Sequence, residues 1–268
     1  MSGRLAILAC GGALPVALAA AHPEAFCVTF AGVAHRLGQR TQEHRFERFG
    51  ALFEALRTAG VTRLVLAGSL ARPALDPSLL DPVTMALAPR IMAALRAGDD
   101  GLLSTVIAIF EEQGFDVLGA HELLPDLTAA EGLRLGPEPD AQDEADALRA
   151  ADILTALSPL DIGQGCVVAG GQCLGIETAQ GTDALLRFVA GTDPTLRPKA
   201  RGVFFKAAKQ GQDLRVDMPA IGPATISACA QAGLAGLMIE PGRVMILDRD
   251  ATLAALQDSG LFLIARSL

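Results

Sequence analysis

The run LAILACGGALPVALAAA, residues 5–21, admits two incompatible readings, and the choice between them decides the fold. Apolar and ending in small residues, it has the look of a secretory leader. A leader needs a basic start and an unbroken apolar stretch, whereas only Arg4 precedes this run and Gly11, Gly12 and Pro15 interrupt it. The interruption has a better use. Residues 4–9 read as a buried parallel strand, the glycines as a tight turn, and Pro15 as a first-turn helix residue whose missing N–H costs nothing. AFCVTFAG, residues 25–32, then supplies a second strand beside the first.

Working outward, the same alternation continues. Residues 49–59 carry a helical pattern, VTRLVLAG (61–68) is a compact apolar strand, and GSLARP (68–73) is the loop at its carboxyl end. DPVTMALAPRIMAALRAG (81–98) predicts a helix bent or split at Pro89. GDDGLLSTVIAIFEEQG (98–114) predicts a second helix stopping at Gly114, before the short strand FDVLGA (115–120). Such alternation predicts a parallel sheet flanked by helices. GLRLGPEPDAQDEADALRAADI (132–153) reads as a linker entering a new helix. Beyond it the apolar strands GCVVAG, CLGIE, GVFFKAA, GLMIE, VMILD and LFLIA are separated by helical runs from Thr182, from Pro223 and over residues 251–260. The expected architecture is α/β in two domains: a Rossmann-like domain with a parallel sheet over residues 1–136, and a smaller α/β domain with a mixed sheet over residues 137–268.

Composition narrows the function. Hydrophobic residues make up 51% of the 268 against 19% charged, which excludes a disordered chain. A net charge of -8, with no Trp or Tyr to stack on bases, argues against nucleic acid as a partner. Cys10, Cys27, Cys166, Cys173 and Cys229 form no C-x-x-C pair and read as buried reduced thiols of a cytoplasmic protein. No run reaches the length of a membrane-spanning helix.

Four motifs carry chemistry, each with a structural alternative. The CGGALP turn, with Gly11, Gly12 and Ala13, presents amides at a helix start, the geometry that attracts phosphate; a glycine can equally serve tightness alone. Gly68, Ser69 and Leu70 open the second strand-end loop, where Ser69 offers a hydroxyl and Arg72 a cation. In ETAQGTDALLR, Thr182 and Asp183 precede a helix and could cap it or meet a ligand. GVFFKAAKQGQDLRVDMPAIGP places Lys206 at a strand end, then Lys209, Arg215 and Asp217 before a rigid turn. A cation to take phosphate charge and an acid to position water are the needs of phosphoryl chemistry. His121 follows a strand as a further candidate contact, and Asp99 and Asp100 could cap their helix. G-x-x-x-x-G-K-[ST], H-E-x-x-H and G-x-S-x-G are all missing, so P-loop, zincin and serine-hydrolase readings fall away.

Taken in order, GGALP, GSLARP, GDDGLL, GFDVLGAHELLP, DIGQ, ETAQGTDALLR, GVFFKAAKQGQDLRVDMPAIG and VMILD resemble the LpxI family over nearly the whole chain. The most specific piece is K-x-x-K-x-x-Q-D-x-R-x-D-x-P-A-I-G from Lys206 to Gly222. That resemblance implies a magnesium-dependent pyrophosphatase of lipid A biosynthesis. It would split UDP-2,3-diacylglucosamine into UMP and 2,3-diacylglucosamine 1-phosphate, with water attacking the sugar-side phosphorus. It also implies a homodimer, and a lipid substrate implies peripheral contact with the cytoplasmic face of the inner membrane. By position, Asp217 becomes the leading catalytic candidate with Lys206. Gln164, Thr182, Asp183 and Lys209 would lie about the pyrophosphate and sugar, and the Gly11–Gly12 turn, the Ser69 loop and His121 would contribute from the first domain, so that the ligand is cleaved between domains. The metal ligand stays open among Asp217, Asp183, Asp99 and Asp100. Gln210, Val216 and Ala224 depart from the family pattern, Ala224 at a position often polar in relatives. An acyl-chain groove is expected near the bent segment from Met85 to Leu95. Two competing readings are a Rossmann-like enzyme using a nucleotide cofactor, against which no acid stands at the end of the second strand, and a non-catalytic lipid or nucleotide carrier.

Overall fold

The computed structural model describes residues 3–38, 40–70, 75–97 and 99–267, the side chains of 97, 99 and 100 excepted. The chain forms two compact units. The first comprises Met1–Pro125 together with Asp213–Asp217, the second Asp126–Gln212 and Met218–Leu268.

In the first unit the opening run becomes β1 (Arg4–Ala9), a glycine turn and α1 (Leu14–Ala21), with Pro15 in the first helical turn. There follow β2 (Phe26–Phe30), β3 (Thr41–His44), α2 (Phe49–Thr58), β4 (Val61–Ala67), α3 (Pro82–Ala97), α4 (Asp99–Glu112), β5 (Asp116–Leu118) and the single turn α5 (Ala120–Leu123). The sheet is wholly parallel with strand order β3-β2-β1-β4-β5. β1 is its central strand and nearly all buried, so the leader-like run is core. β3, TQEH, was not foreseen: it is an edge strand with two of its four residues exposed and no apolar run to announce it. α3 runs through Pro89 as one helix, so of the two expected outcomes, bent or split, it is not split. Leu52, Phe53 and Leu56 of α2 recur at helical spacing and pack on Leu8, Val28 and Leu64 from the sheet and on Ile107 and Phe110 from α4. Phe53 and Phe110 meet edge to face at 5.5 Å.

The second unit contains β6 (Arg134–Leu135), α6 (Ala141–Leu157), β7 (Gly165–Ala169), β8 (Gln172–Ile176), α7 (Thr182–Ala190), β9 (Val203–Lys206), β10 (Ala220–Ile221), α8 (Pro223–Gln231), β11 (Gly236–Ile239), β12 (Met245–Ile246), α9 (Arg249–Ser259) and β13 (Phe262–Ala265). Its main sheet, ordered β6-β13-β11-β9-β7-β8, is mixed: β9, β11 and β13 run parallel, while β6, β7 and β8 enter antiparallel pairings. With six strands against five, this sheet is the larger of the two, contrary to the expectation of a smaller second domain. The stretch from Asp126 to Gly136, assigned from the sequence to the first domain, belongs to this unit because β6 pairs with β13. VMILD does not join the main sheet; β12 pairs with β10 in a separate two-stranded ladder.

Alternation along the strands sorts two cores. Val167, Phe204, Leu237 and Leu263 face Leu186, Ile226 and Leu256 of α7, α8 and α9. Cys166, Val168, Val203, Phe205 and Met238 face Ala147, Ala150 and Leu154 of α6. Lys206 shares the parity of Phe204 and therefore lies on the α7–α8 side. Of the five free thiols only Cys10, Cys166 and Cys229 are buried; Cys27 is half-buried, and Cys173 is exposed because β8 is an edge strand.

Candidate active site

In the first unit, strand order reverses between β1 and β4, and open α/β sheets take their ligands outside the carboxyl ends of strands at such a point. Both glycine loops leave from there. They are tied to each other: the Gly11 N–H donates to the Ser69 carbonyl at 2.9 Å and the Ser69 N–H returns to Gly11 O at 3.0 Å. Two amides that the sequence offers to a phosphate are thus already committed. Gly12, at φ +91°, turns the chain into α1, whose first turn has no side-chain cap. The amides of Gly12 and Ala13 and the exposed Ser69 hydroxyl are the donors this edge presents, with Gly68 and Leu70 exposed beside them. Arg72 lies outside the described residues. A cavity of about 640 Å³, lined by Arg4, His22, Phe26, Arg40 and Thr41 among others, opens at the amino-terminal ends of β1, β2 and β3, the other edge of this sheet.

His121 sits on α5 with a buried Nδ1 that has no hydrogen-bond partner among the described residues. Glu122, not His121, caps that turn by accepting from the Gly119 N–H at 2.7 Å. The side chains of Asp99 and Asp100 lie outside the described residues. Asp213–Asp217 folds with this unit although it is distant in sequence. Arg215 anchors it, donating to both Asp213 oxygens at 2.9 and 2.7 Å, to Glu111 of α4 at 2.6 Å and to the Val117 carbonyl of β5 at 3.4 Å. Val216 packs on the apolar core. Asp217, half-buried, closes the turn with its N–H on Asp213 O at 3.2 Å. The acid assigned by sequence to the carboxy-terminal domain is therefore carried on a segment of the first unit.

In the second unit the geometry is tighter. β9 ends in Lys206, only 3% exposed, paired in register with Gly165 of β7. Its ammonium donates to Glu177 Oε2 at 3.4 Å and to the Thr182 hydroxyl, and that hydroxyl donates to Glu177 Oε1 at 3.0 Å. Burial pushes the Lys206 ammonium below its ordinary pKa, while the charges of Glu177 and Asp183 pull it back up. The structure thus brings together Lys206, Thr182 and Asp183. It adds Glu177, which sequence reasoning passed over although CLGIE ends a strand five residues before Thr182. Thr182 and Asp183 start α7, which has no side-chain cap; Gly181, at φ +84°, precedes them.

Gln164 and Lys209 flank this group. The Gln164 carbonyl accepts from the Ala207 N–H at 3.0 Å. The loop after β9 is pinned by Ala208 N–H on Glu240 at 3.1 Å, Lys209 N–H on Gln212 at 3.0 Å and Gln210 N–H on Ser158 at 2.6 Å. The Lys209 ammonium pairs with Asp161. Among the described residues no three His, Cys, Asp or Glu side chains converge as a metal cage. The Glu177 and Asp183 carboxylates act on an ammonium, which stands where a cation would be held. These residues do not fit a magnesium ion bound by protein groups alone.

Comparison with known proteins accounts for the order of these motifs. The model described as "LpxI N-terminal domain" matches residues 4–127 and "LpxI C-terminal domain" matches residues 130–264. A protein of Caulobacter vibrioides named UDP-2,3-diacylglucosamine pyrophosphatase LpxI is 40% identical over 272 residues, spanning 97% of this chain and 96% of that one. The glycine loops, the Asp217 segment and the Lys206 group are thus features of a chain that belongs to the LpxI family.

Proposed function

We propose that this protein hydrolyses the pyrophosphate bond of UDP-2,3-diacylglucosamine, releasing UMP and 2,3-diacylglucosamine 1-phosphate in lipid A biosynthesis. The observation that carries this reading is the near full-length correspondence to a relative bearing that name, with both domain models matched in order. The chemistry of the side chains agrees with it. A diphosphate ester needs fixed positive charge for its oxygens and an acid to direct water. Lys206 has three ammonium protons, of which Glu177 and Thr182 take two, leaving a donor for a phosphate oxygen at the positive end of α7. The Gly12 and Ala13 amides at the start of α1 are a second anion-binding element. Asp217 is the acid assigned to water. Magnesium, implied by the family, would be held largely by the phosphate oxygens with one or two carboxylates, the usual manner of that ion.

The acyl chains are assigned to the outer face of α3, where Met85 and Met92, seven residues apart and so on one face, are 58% and 52% exposed. No helix among the described residues is long and apolar enough to cross a membrane. Peripheral contact of that face with the inner membrane, and assembly as a homodimer, complete the proposal. The test is release of UMP from UDP-2,3-diacylglucosamine labelled in the uridine. Stoichiometric binding without UMP release would leave a carrier instead of a hydrolase.

A further inference from the structure

The Lys206 group contains a carboxylate that the proposed hydrolysis does not use directly. Glu177 lies just beyond β8 and is 9% exposed. Its N–H donates to the Gly165 carbonyl at 2.7 Å, and its side chain lies against the bare α-carbon of Gly165, where an added Cβ would stand 2.6 Å from Oε2. β7 therefore makes room for this carboxylate by carrying glycine at that position. With both oxygens engaged, Glu177, Thr182 and Lys206 close a ring of three hydrogen bonds in which every donor has a direction: hydroxyl to Oε1, ammonium to Oε2, ammonium to hydroxyl.

Building on the proposed hydrolysis, we infer that Glu177 is a positioning residue: it keeps the Lys206 side chain charged and fixed at the start of α7, so that the remaining ammonium proton is held ready for a phosphate oxygen. Every element packed about the ammonium fits that role. Phe204 of the same strand presents its ring 6.0 Å away, Cys229 of α8 is a thiol kept neutral by burial, and Gly165 of β7 contributes no side chain. Asp183 of α7 is an exposed acid. Among the charges acting on Lys206, Glu177 is the buried one. A buried lysine without a counter-charge gives up its proton, and a neutral amine would neither attract a diphosphate nor donate from a defined direction.

Glu177→Gln keeps the shape and removes the charge. In wild type, kcat/KM for UMP release falls on the alkaline side as Lys206 loses its proton. In Glu177→Gln that limb moves to lower pH by about one unit or more, and the loss of rate, about tenfold or greater at neutral pH, shrinks as the pH is lowered. Thr182→Val, which breaks the ring but leaves the carboxylate and its charge in place, leaves the limb nearer its wild-type position. A Glu177→Gln limb unmoved from wild type, or a loss independent of pH, overturns the inference. Should wild type release no UMP, the hydrolase reading fails by itself. Glu177 is then judged by 15N NMR of the Lys206 amine: a lowered titration midpoint in Glu177→Gln sustains its role and an unchanged midpoint refutes it.

Discussion

Gly68 approaches Gly11 so closely that a methyl group on its α-carbon would stand 2.2 Å from the Gly11 carbonyl oxygen. Contact of that kind, with φ at +98°, is open to glycine alone. Gly68→Ala should therefore pry apart the two loops that Gly11 and Ser69 tie together and lower stability by more than about 2 kcal/mol. Gly12→Ala is the control, since Gly12 has a similar φ but nothing within 4 Å of the added carbon. It should cost about 1 kcal/mol, from backbone strain only. Thermal unfolding of the two variants separates the collision from the dihedral.

Asp217→Ala should abolish UMP release while leaving affinity for UDP-2,3-diacylglucosamine within a few-fold of wild type. In the role proposed for it, directing water, its removal affects the transition state more than the ground state. Calorimetric binding beside single-turnover hydrolysis reads both quantities, and unchanged turnover removes Asp217 from the chemistry.

Arg215 fastens the Asp213–Asp217 segment, and its hydrogen bonds hold the Asp213 carboxyl below its ordinary pKa. A depressed carboxylate contributes stability above its unfolded pKa and loses it as pH falls through the folded value. Wild type should accordingly lose stability more steeply than Asp213→Asn as pH falls below about 4, the ordinary range of an aspartate. Arg215→Ala, breaking a partly exposed bidentate pair, should cost about 1 kcal/mol at pH 7. Unfolding midpoints across that pH range check both.

Placing charge on the outer face of α3 should penalise the lipid and not the nucleotide. For Met85→Glu with Met92→Glu, KM for the diacyl substrate should rise about tenfold or more while UMP affinity and unfolding temperature stay at wild-type values. Equal KM values for the two proteins would remove α3 as the acyl-chain surface.

Much of the fold is legible because its strands are buried on both faces. LAILA, GCVVA and GLMI are buried apolar runs with glycine close by, and such runs have few other homes. The short ladders β6 and β10 are hidden from that reasoning because partners farther along the chain create them, and β3 because it is a half-exposed edge strand beside β2 with no apolar run. The lysine, threonine and aspartate of the second unit stand out as residue types at strand and helix ends. Glu177 does not, since its meaning depends on Gly165 leaving space across the sheet. Adjacency misleads most at Asp217: eleven residues from Lys206, it folds with the other unit.

That excursion of the backbone has a practical corollary. A gene divided once, after Pro125, would yield an amino-terminal fragment lacking the five residues that Arg215 fastens to it, and a carboxy-terminal fragment trailing an unhoused loop. Neither half would be a faithful miniature of its unit. Co-expressing the halves should restore hydrolysis only to the extent that the pentapeptide finds its berth again, which makes fragment complementation a direct assay of that five-residue insertion.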